Sequence, residues 1–435
     1  MKGWEAGLIA SGLSLILEAL GRNNPLLGLY GALTHLLGTP GAFNLLHRLL
    51  GYGEAAKALA FLAALGLFLL LHRLLWGWPY LLLALYLALA GPWGLLAGLW
   101  LFLPRGWSGE RRQVLGLGLL ALAALLLGRR REGARKASAS LLLGQGSLYQ
   151  VSKNPPFLDP DLRGRPYRLE VAGLVDRPLV LSLQDLMALP ARELVHTLIC
   201  ISNPVGGDLV GCLRWKGVSL PALLERAGPK REARYLRFEA ADGYVESLPL
   251  AELPEDALLA YAAFDPERGG YEPLWPSHGY PVRLLLPGRY GMKQPKWLTR
   301  IRLEAEKTLG YWAERGWSEE ARVRPMSRID WPPPGASLRV GEALEVRGIA
   351  FAGEKPVLAV EVSVDGGKGW ERAELLPAPG PYAWRLWRYL WRPEAPGRQA
   401  LLVRAWTREG PQDPTPRDPL PDGATGLHRV EVVVR

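Results

Sequence analysis

Apolar residues fall into three regimes along the chain. Residues 5–128 are dominated by Leu, Ala and Gly, with continuous apolar runs at 58–71, 79–103 and 114–127 and shorter ones at 6–20 and 25–37. A helix needs about 20 such residues to cross a bilayer. The pattern predicts an α-helical membrane domain over residues 1–128 with about five spans. Gly91-Pro92 would kink one of them. The first two segments are short, and an interfacial helical hairpin is the alternative for them. Residues 129–149, rich in Arg, Gly, Ala, Ser and Gln, read as a linker.

Between residues 150 and 330 the periods of strands and helices alternate irregularly. Strands are expected at 167–174, 194–201, 235–239 and 281–286, with helices at 182–189 and 220–226. That is an α+β domain rather than a regular series of strand–helix–strand units. From Pro334 the period becomes two, in short runs at 338–340, 343–349, 357–364, 383–391, 399–405 and 428–434. Asp365-Gly366-Gly367 is the clearest hairpin signal among them. Six or seven strands over residues 335–435 predict an immunoglobulin-like β-sandwich.

Charge and cysteine content narrow the function. The formal net charge is +10, but no stripe of Arg interleaved with aromatics appears, so nucleic acid is not an expected partner. Two cysteines give neither a disulfide framework nor a CxxC zinc site. His35, His47 and His72 lie in or beside the apolar helices, yet no two sit at one depth on facing helices, and no haem is expected. The abundance of Leu, Arg, Pro and Trp, with few Met and Cys, suits a thermophile.

Three stretches carry candidate chemistry. In the first, an apolar strand delivers Cys200 to a loop of Ser202, Asn203, Pro204, Val205, Gly206, Gly207 and Asp208. Trp215, Gly217 and Leu220 follow, leading into a helix. A lone thiolate at a strand end suits one bond to a soft metal, although a buried small hydrophobe is the plainer reading of any single Cys. The second stretch is Ser152-Lys153-Asn154-Pro155-Pro156-Phe157-Leu158. The third runs from His278 through Arg283, Arg289, Tyr290, Lys293, Gln294, Pro295 and Lys296 to Leu298, with cations suited to a phosphate.

Together these stretches resemble the sulfite oxidase family of molybdenum–pterin oxidoreductases, over roughly residues 150–435. Cys200, Asn203, Trp215, Gly217 and Leu220 stand at the family's Cys-x-x-Asn and Trp-x-Gly-x-x-Leu positions. The resemblance implies a molybdenum–molybdopterin cofactor with Cys200 as metal ligand and catalytic residue. It implies cofactor contacts from Asn154, Phe157, Leu158, Asp242, His278 and Arg283, from the Gln294-Pro295 backbone and from Lys296. Asp242-Gly243 is equally a turn. A separate electron-transfer protein or the quinone pool would exchange electrons, and the C-terminal domain would make a homodimer contact.

Where the sulfite-oxidising members carry an Arg five residues after the cysteine, this chain has Val205. Lys153, Arg289 and Lys293 are the remaining candidate cations beside the substrate. A neutral or weakly charged substrate such as a sulfoxide or N-oxide is therefore expected in place of sulfite. The alternatives are a sulfite-oxidising enzyme or a membrane scaffold or sensor with an inactive oxidase-like domain. Intact Cys200, Arg283 and Lys296 argue against the scaffold.

Arg111-Arg112-Gln113-Val114-Leu115 before the last apolar run resembles a twin-arginine export signal. It implies a multi-pass protein of the cytoplasmic membrane, in contact with lipid, with its catalytic domain on the outer, periplasmic side. Arg129, Arg130, Arg131, Arg135 and Lys136 pull the other way by the positive-inside rule.

Overall fold

The computed structural model describes residues 10, 11, 29, 65–71, 74, 141–154 and 159–435. The chain divides into two units, one of residues 1–132 with 152–160 and one of residues 133–151 with 161–435. In the first unit, the described positions before residue 75 are helical, and Phe68 is buried. Most of the expected membrane spans and the Arg111-Arg112 pair lie outside the described residues. Among the described residues no helix is long and apolar enough to cross a membrane.

The second unit begins inside the stretch expected to be a linker. Residues 141–149 are packed rather than loose: Leu143 and Leu148 are 4% and 2% exposed. The Leu143 amide donates to Cys212 O at 2.8 Å. Small apolar runs on either side of a single 3-10 turn, Gln145–Ser147, give this segment enough to bury.

The α+β part holds two sheets around one core. The first has the order β2-β1-β10-β5-β6. It is built from β1 (Leu169–Gly173), β2 (Leu179–Leu181), β5 (Tyr235–Ala240), β6 (Val245–Pro249) and β10 (Leu298–Glu304). The second has the order β3-β4-β7-β8, with β9 also on β7. Its members are β3 (Ala191–Ile199), β4 (Val210–Ser219), β7 (Leu258–Asp265), β8 (Gly270–Pro273) and β9 (Arg283–Leu285). Val171, Phe238 and Ile301 of the first sheet share a buried cluster with Val218, Leu259 and Leu284 of the second.

Two short helices close this core. Helix α1 (Leu183–Met187) starts on a capping box in which the Asp185 amide donates to Ser182 Oγ and the Ser182 amide to Asp185. Helix α2 (Leu220–Ala227) is capped by Ser219 and ends at Gly228 in the left-handed region. Gly217 is required where β4 crosses β7, because a Cβ there would collide with the Leu259 carbonyl. Trp215, two residues earlier, is fully buried.

From residue 326 two further sheets face each other. One has the order β11-β13-β17-β16, from β11 (Met326–Trp331), β13 (Leu344–Phe351), β16 (Glu374–Leu375) and β17 (Arg385–Trp391). The other has the order β12-β20-β18-β14-β15, with β19 (Gly410–Pro411) also on β18. Its strands are β12 (Ser337–Leu338), β14 (Ala359–Ser363), β15 (Glu371–Arg372), β18 (Gly397–Thr407) and β20 (His428–Val434). Trp387 and Trp391 of one sheet pack on Val360, Leu401 and Val432 of the other, which makes a β-sandwich. The expected hairpin forms at Asp365, whose carboxylate accepts from the Lys368 and Gly369 amides, both at 2.9 Å.

Candidate functional site

Strand β3 ends at Ile199 and places Cys200 at the start of a ten-residue loop that β4 resumes at Val210. The Cys200 amide donates to Leu209 O at 2.9 Å, and the Asn203 amide donates to Cys200 O at 3.0 Å. Asn203 Oδ1 accepts from the Leu209 amide at 2.9 Å, so its side chain ties the loop back on itself. This gives a structural reason for Asn three residues after the cysteine. The Cys200 thiol lies 3.1 Å from Ser202 Oγ. Cys212 is sealed within β4 at 0% exposure, and burial pushes its thiol up to about 11.

Two phenols flank Cys200. Burial, and after it the charge of Cys200, hold the Tyr149 hydroxyl well above its ordinary value. The Tyr149 hydroxyl fits because residue 291 is Gly: a Cβ there would stand 2.9 Å from the hydroxyl and 3.4 Å from Ile199 O. Tyr290 is 3% exposed, and burial pushes it up to about 12. Both phenols therefore keep their protons at neutral pH. Tyr149 escapes motif reading because it lies in the stretch that composition assigns to a linker.

Cations gather beside this centre. Arg283 opens β9 and is 5% exposed. Its Nη1 donates to His278 O at 3.1 Å and its Nη2 to Gln294 O at 3.4 Å, and the guanidinium lies 5.3 Å from the Trp215 ring. Its Nε is buried without a hydrogen-bond partner, and it makes no ion pair among the described residues. Burial brings Arg283 down to about 10, which leaves it charged at neutral pH. Lys296 donates to Ser277 O at 2.9 Å and stands 4.2 Å from the centre of the Trp297 ring. Gly279, at φ 107°, lets these two chains converge, for its Cβ would lie 3.1 Å from Arg283 Cβ and 3.0 Å from Lys296 Cβ. His278 donates from Nε2 to Gln145 O at 2.8 Å. Burial, then Lys296 and Arg283, lower its pKa to about 3, so it is neutral.

Other expected cations are neutralised locally. Arg289 is held by Glu252 and donates to Glu320 O at 2.8 Å. Lys293 is bound to Glu246 at 2.7 Å. Neither guanidinium nor ammonium is available to a substrate. The Gln294 side chain is 1% exposed and braces the interior, accepting from His196 Nε2 at 3.0 Å and the Leu286 amide at 3.1 Å. Its carbonyl takes Arg283, and Pro295 O takes the Leu284 amide at 3.0 Å. The Gln294-Pro295 backbone thus steadies Arg283 and β9.

Asp242 is half-buried in the β5–β6 turn, where it accepts from the Tyr244 amide at 3.0 Å, and the neighbouring Ala241 amide donates to Trp297 O at 2.9 Å. Lys153 and Asn154 belong to the other unit, where the lysine donates to the Asn154 side-chain oxygen at 3.1 Å. Phe157 and Leu158 lie outside the described residues. Val205 is exposed and lines a small cavity with Asn203, Gly206, Tyr290 and Arg324. Arg324 was not expected here; its Nε donates to Asp422 O at 3.0 Å, and Nη2 stands 3.5 Å from the Asp422 carboxylate, which offsets its charge.

Comparison with known proteins adds an independent line. The family described as "Oxidoreductase molybdopterin binding domain" matches residues 157–312. The mitochondrial sulfite oxidase of Rattus norvegicus is 32% identical over 281 residues, which is 54% of this chain and 50% of that protein. The uncharacterized oxidoreductase YuiH of Bacillus subtilis is 36% identical over 166 residues, 38% of this chain and 79% of that one. The chain spans about half the length of the mitochondrial sulfite oxidases it matches. Among solved structures, the sulfane dehydrogenase SoxCD of Paracoccus pantotrophus superposes with a TM-score of 0.55 at 24% identity, covering 68% of this chain and 85% of that chain. This last likeness is one of fold.

Proposed function

The chain belongs to the sulfite oxidase family of molybdopterin-binding oxidoreductases, and from that premise we propose that it transfers an oxygen atom to or from a small substrate at a molybdenum–pterin cofactor. Cys200 would hold the metal, and Arg283 and Lys296 would hold the phosphate. When bound, the group supplies a metal centre for two-electron oxygen-atom transfer. The observation that carries this reading is Arg283, a 5% exposed cation with an orphaned Nε and no ion pair among the described residues. A buried charge left in that state is costly unless an anion completes it. Gly279 lets the Arg283 and Lys296 stems pack side by side, since a Cβ there would lie only 3.1 and 3.0 Å from theirs, and this pairing of two cations supports a shared anion. Cys200 offers a soft donor at the mouth of a closed loop, and the protonated Tyr149 and Tyr290 are hydrogen-bond donors beside it.

Val205, with Arg324 offset by Asp422, supports a neutral or weakly charged substrate such as a sulfoxide or N-oxide. Electrons would pass to or from a separate protein or the quinone pool. The apolar runs of residues 1–128 support a membrane anchor, with the catalytic domain on the outer face of the cytoplasmic membrane. The sandwich strand orders β11-β13-β17-β16 and β12-β20-β18-β14-β15 match an A-B-E-D sheet against an A′-G-F-C-C′ sheet. They support an immunoglobulin-like domain, which we assign to a homodimer contact.

Metal and pterin analysis of the purified protein tests the cofactor, and about one molybdenum per chain is expected, as one thiolate ligand implies. Steady-state kinetics then test the substrate, with sulfite and an artificial acceptor beside sulfoxides and a reduced dye. Val205→Arg is expected to lower the KM for sulfite. Absence of molybdenum refutes the cofactor reading, and a micromolar KM for sulfite in the wild type refutes the substrate reading.

A further inference from the structure

Two residues of the β-sandwich reach the Cys200 loop. Arg328, on β11, donates Nη1 to Gly207 O at 2.7 Å, while Asp330 holds its Nε at 2.5 Å. Its side chain is only 9% exposed. His428, the first residue of β20, accepts the Ile329 amide on Nδ1 at 3.0 Å, which fixes the ring. The other edge of that imidazole lies against Gly206, where any Cβ would fall on Cδ2 and Nε2. Gly206 also has φ +74°, so the loop turns at the point of contact.

The braced segment lines a small cavity beside Tyr290. Asn203, Val205 and Gly206 of the loop line the cavity together with Met326 and Gln412. The cavity is small, about 20 Å³, so a shift of a few tenths of an ångström in the loop changes what fits. Adjacent glycines at 206 and 207 make the loop the element most in need of an external constraint. A nearly buried guanidinium on a carbonyl is a charge-assisted bond able to supply it.

We propose that Arg328 and His428 are positioning residues, which fix the Cys200 loop from the sandwich and so set substrate affinity without touching the reacting atoms. The role rests on the reading of that loop as the cofactor loop. It makes the sandwich a working part of the site.

Amide hydrogen exchange of the full chain, with and without cofactor, tests the brace directly. In Arg328→Gln the amides of the segment from Asn203 to Leu209 are expected to exchange about tenfold faster, as expected for loss of a charge-assisted hydrogen bond. β13 and β17 should be unchanged. Molybdenum content and kcat are expected to stay near wild type while KM, for sulfite or for dimethyl sulfoxide with the matching dye, rises. Arg328→Lys, which keeps a donor, should recover most of both effects. His428→Ala, which removes the Gly206 contact together with the Ile329 amide's acceptor, should also loosen the loop. Unchanged loop exchange, an equal rise across the whole sandwich, or an unchanged KM beside faster exchange overturns the proposal. A wild type without molybdenum would instead refute the cofactor reading, and the exchange data would still decide the brace.

Discussion

Lys293 and Glu246 meet at 2.7 Å with side chains 4% and 0% exposed, a sealed ion pair beside the turn that follows Tyr290. Ser247 O accepts the same ammonium at 2.9 Å, and the Tyr244 hydroxyl donates to Met292 O at 2.7 Å within the turn. Burial raises the pKa of the Glu246 carboxyl, and Lys293 opposes the rise. Removing one partner strands the other charge. Glu246→Gln is therefore expected to destabilise the fold by about 3–5 kcal/mol, read as a lower midpoint in denaturant. Replacing both residues by apolar ones of similar volume should cost less than either single change.

The two cysteines should separate cleanly. Cys200→Ser replaces a soft ligand by a hard one and is expected to abolish turnover while the chain stays folded. Cys212→Ser sits at 0% exposure with no part in the site, and is expected to retain activity with a modest loss of stability. Equal turnover in Cys200→Ser and wild type would remove the metal-ligand assignment.

Arg283→Ala and Lys296→Ala each remove a cation from the expected phosphate grip. A charge-assisted hydrogen bond is worth about 1.5–3 kcal/mol, so each variant should show at least a tenfold weaker hold on the cofactor. Molybdenum occupancy after dialysis measures it. Arg289→Ala, whose guanidinium is engaged with Glu252, should leave occupancy unchanged.

The buried histidines give a pH dependence of definite sign. Burial lowers His278 to about 3 and His196 to about 4, against an ordinary value of 6.5. Between those limits the unfolded chain binds more protons than the folded one, so stability falls as pH falls. Their share is intact above about pH 7 and is reduced by about 2 kcal/mol per histidine at pH 5. Thermal unfolding at pH 7.5 and 5.0 should show the drop, and His278→Gln should flatten it. A wild type equally stable at both values would contradict the neutral, buried state of these rings.

Local chemistry was legible in the sequence wherever spacing alone carries it. The Cys200 loop, the run from His278 to Lys296 and the two-residue period of the sandwich strands all have short-range signatures. Arg289 and Lys293 misled because their partners, Glu252 and Glu246, lie 37 and 47 residues away in the chain. No pattern near a lysine announces a carboxylate that folding brings beneath it. Tyr149 was hidden for a related reason: its segment is short, broken by glycines and continuous with a basic Gly- and Ser-rich stretch, and packing against β4 holds it in place. Arg328 and His428 lie 121 and 222 positions beyond the glycines they meet, and nothing in the first stretch calls for them.

The last of those separations bears on the order of events during synthesis. Chains emerge from their amino end, and early domains begin to fold before later ones exist. The segment around Cys200 is translated long before the final strand that contains His428. Until that strand has been released, the glycine pair can sample shapes that the finished protein forbids. On the proposed brace, the loop reaches its final geometry only after the strand that carries His428 has been made.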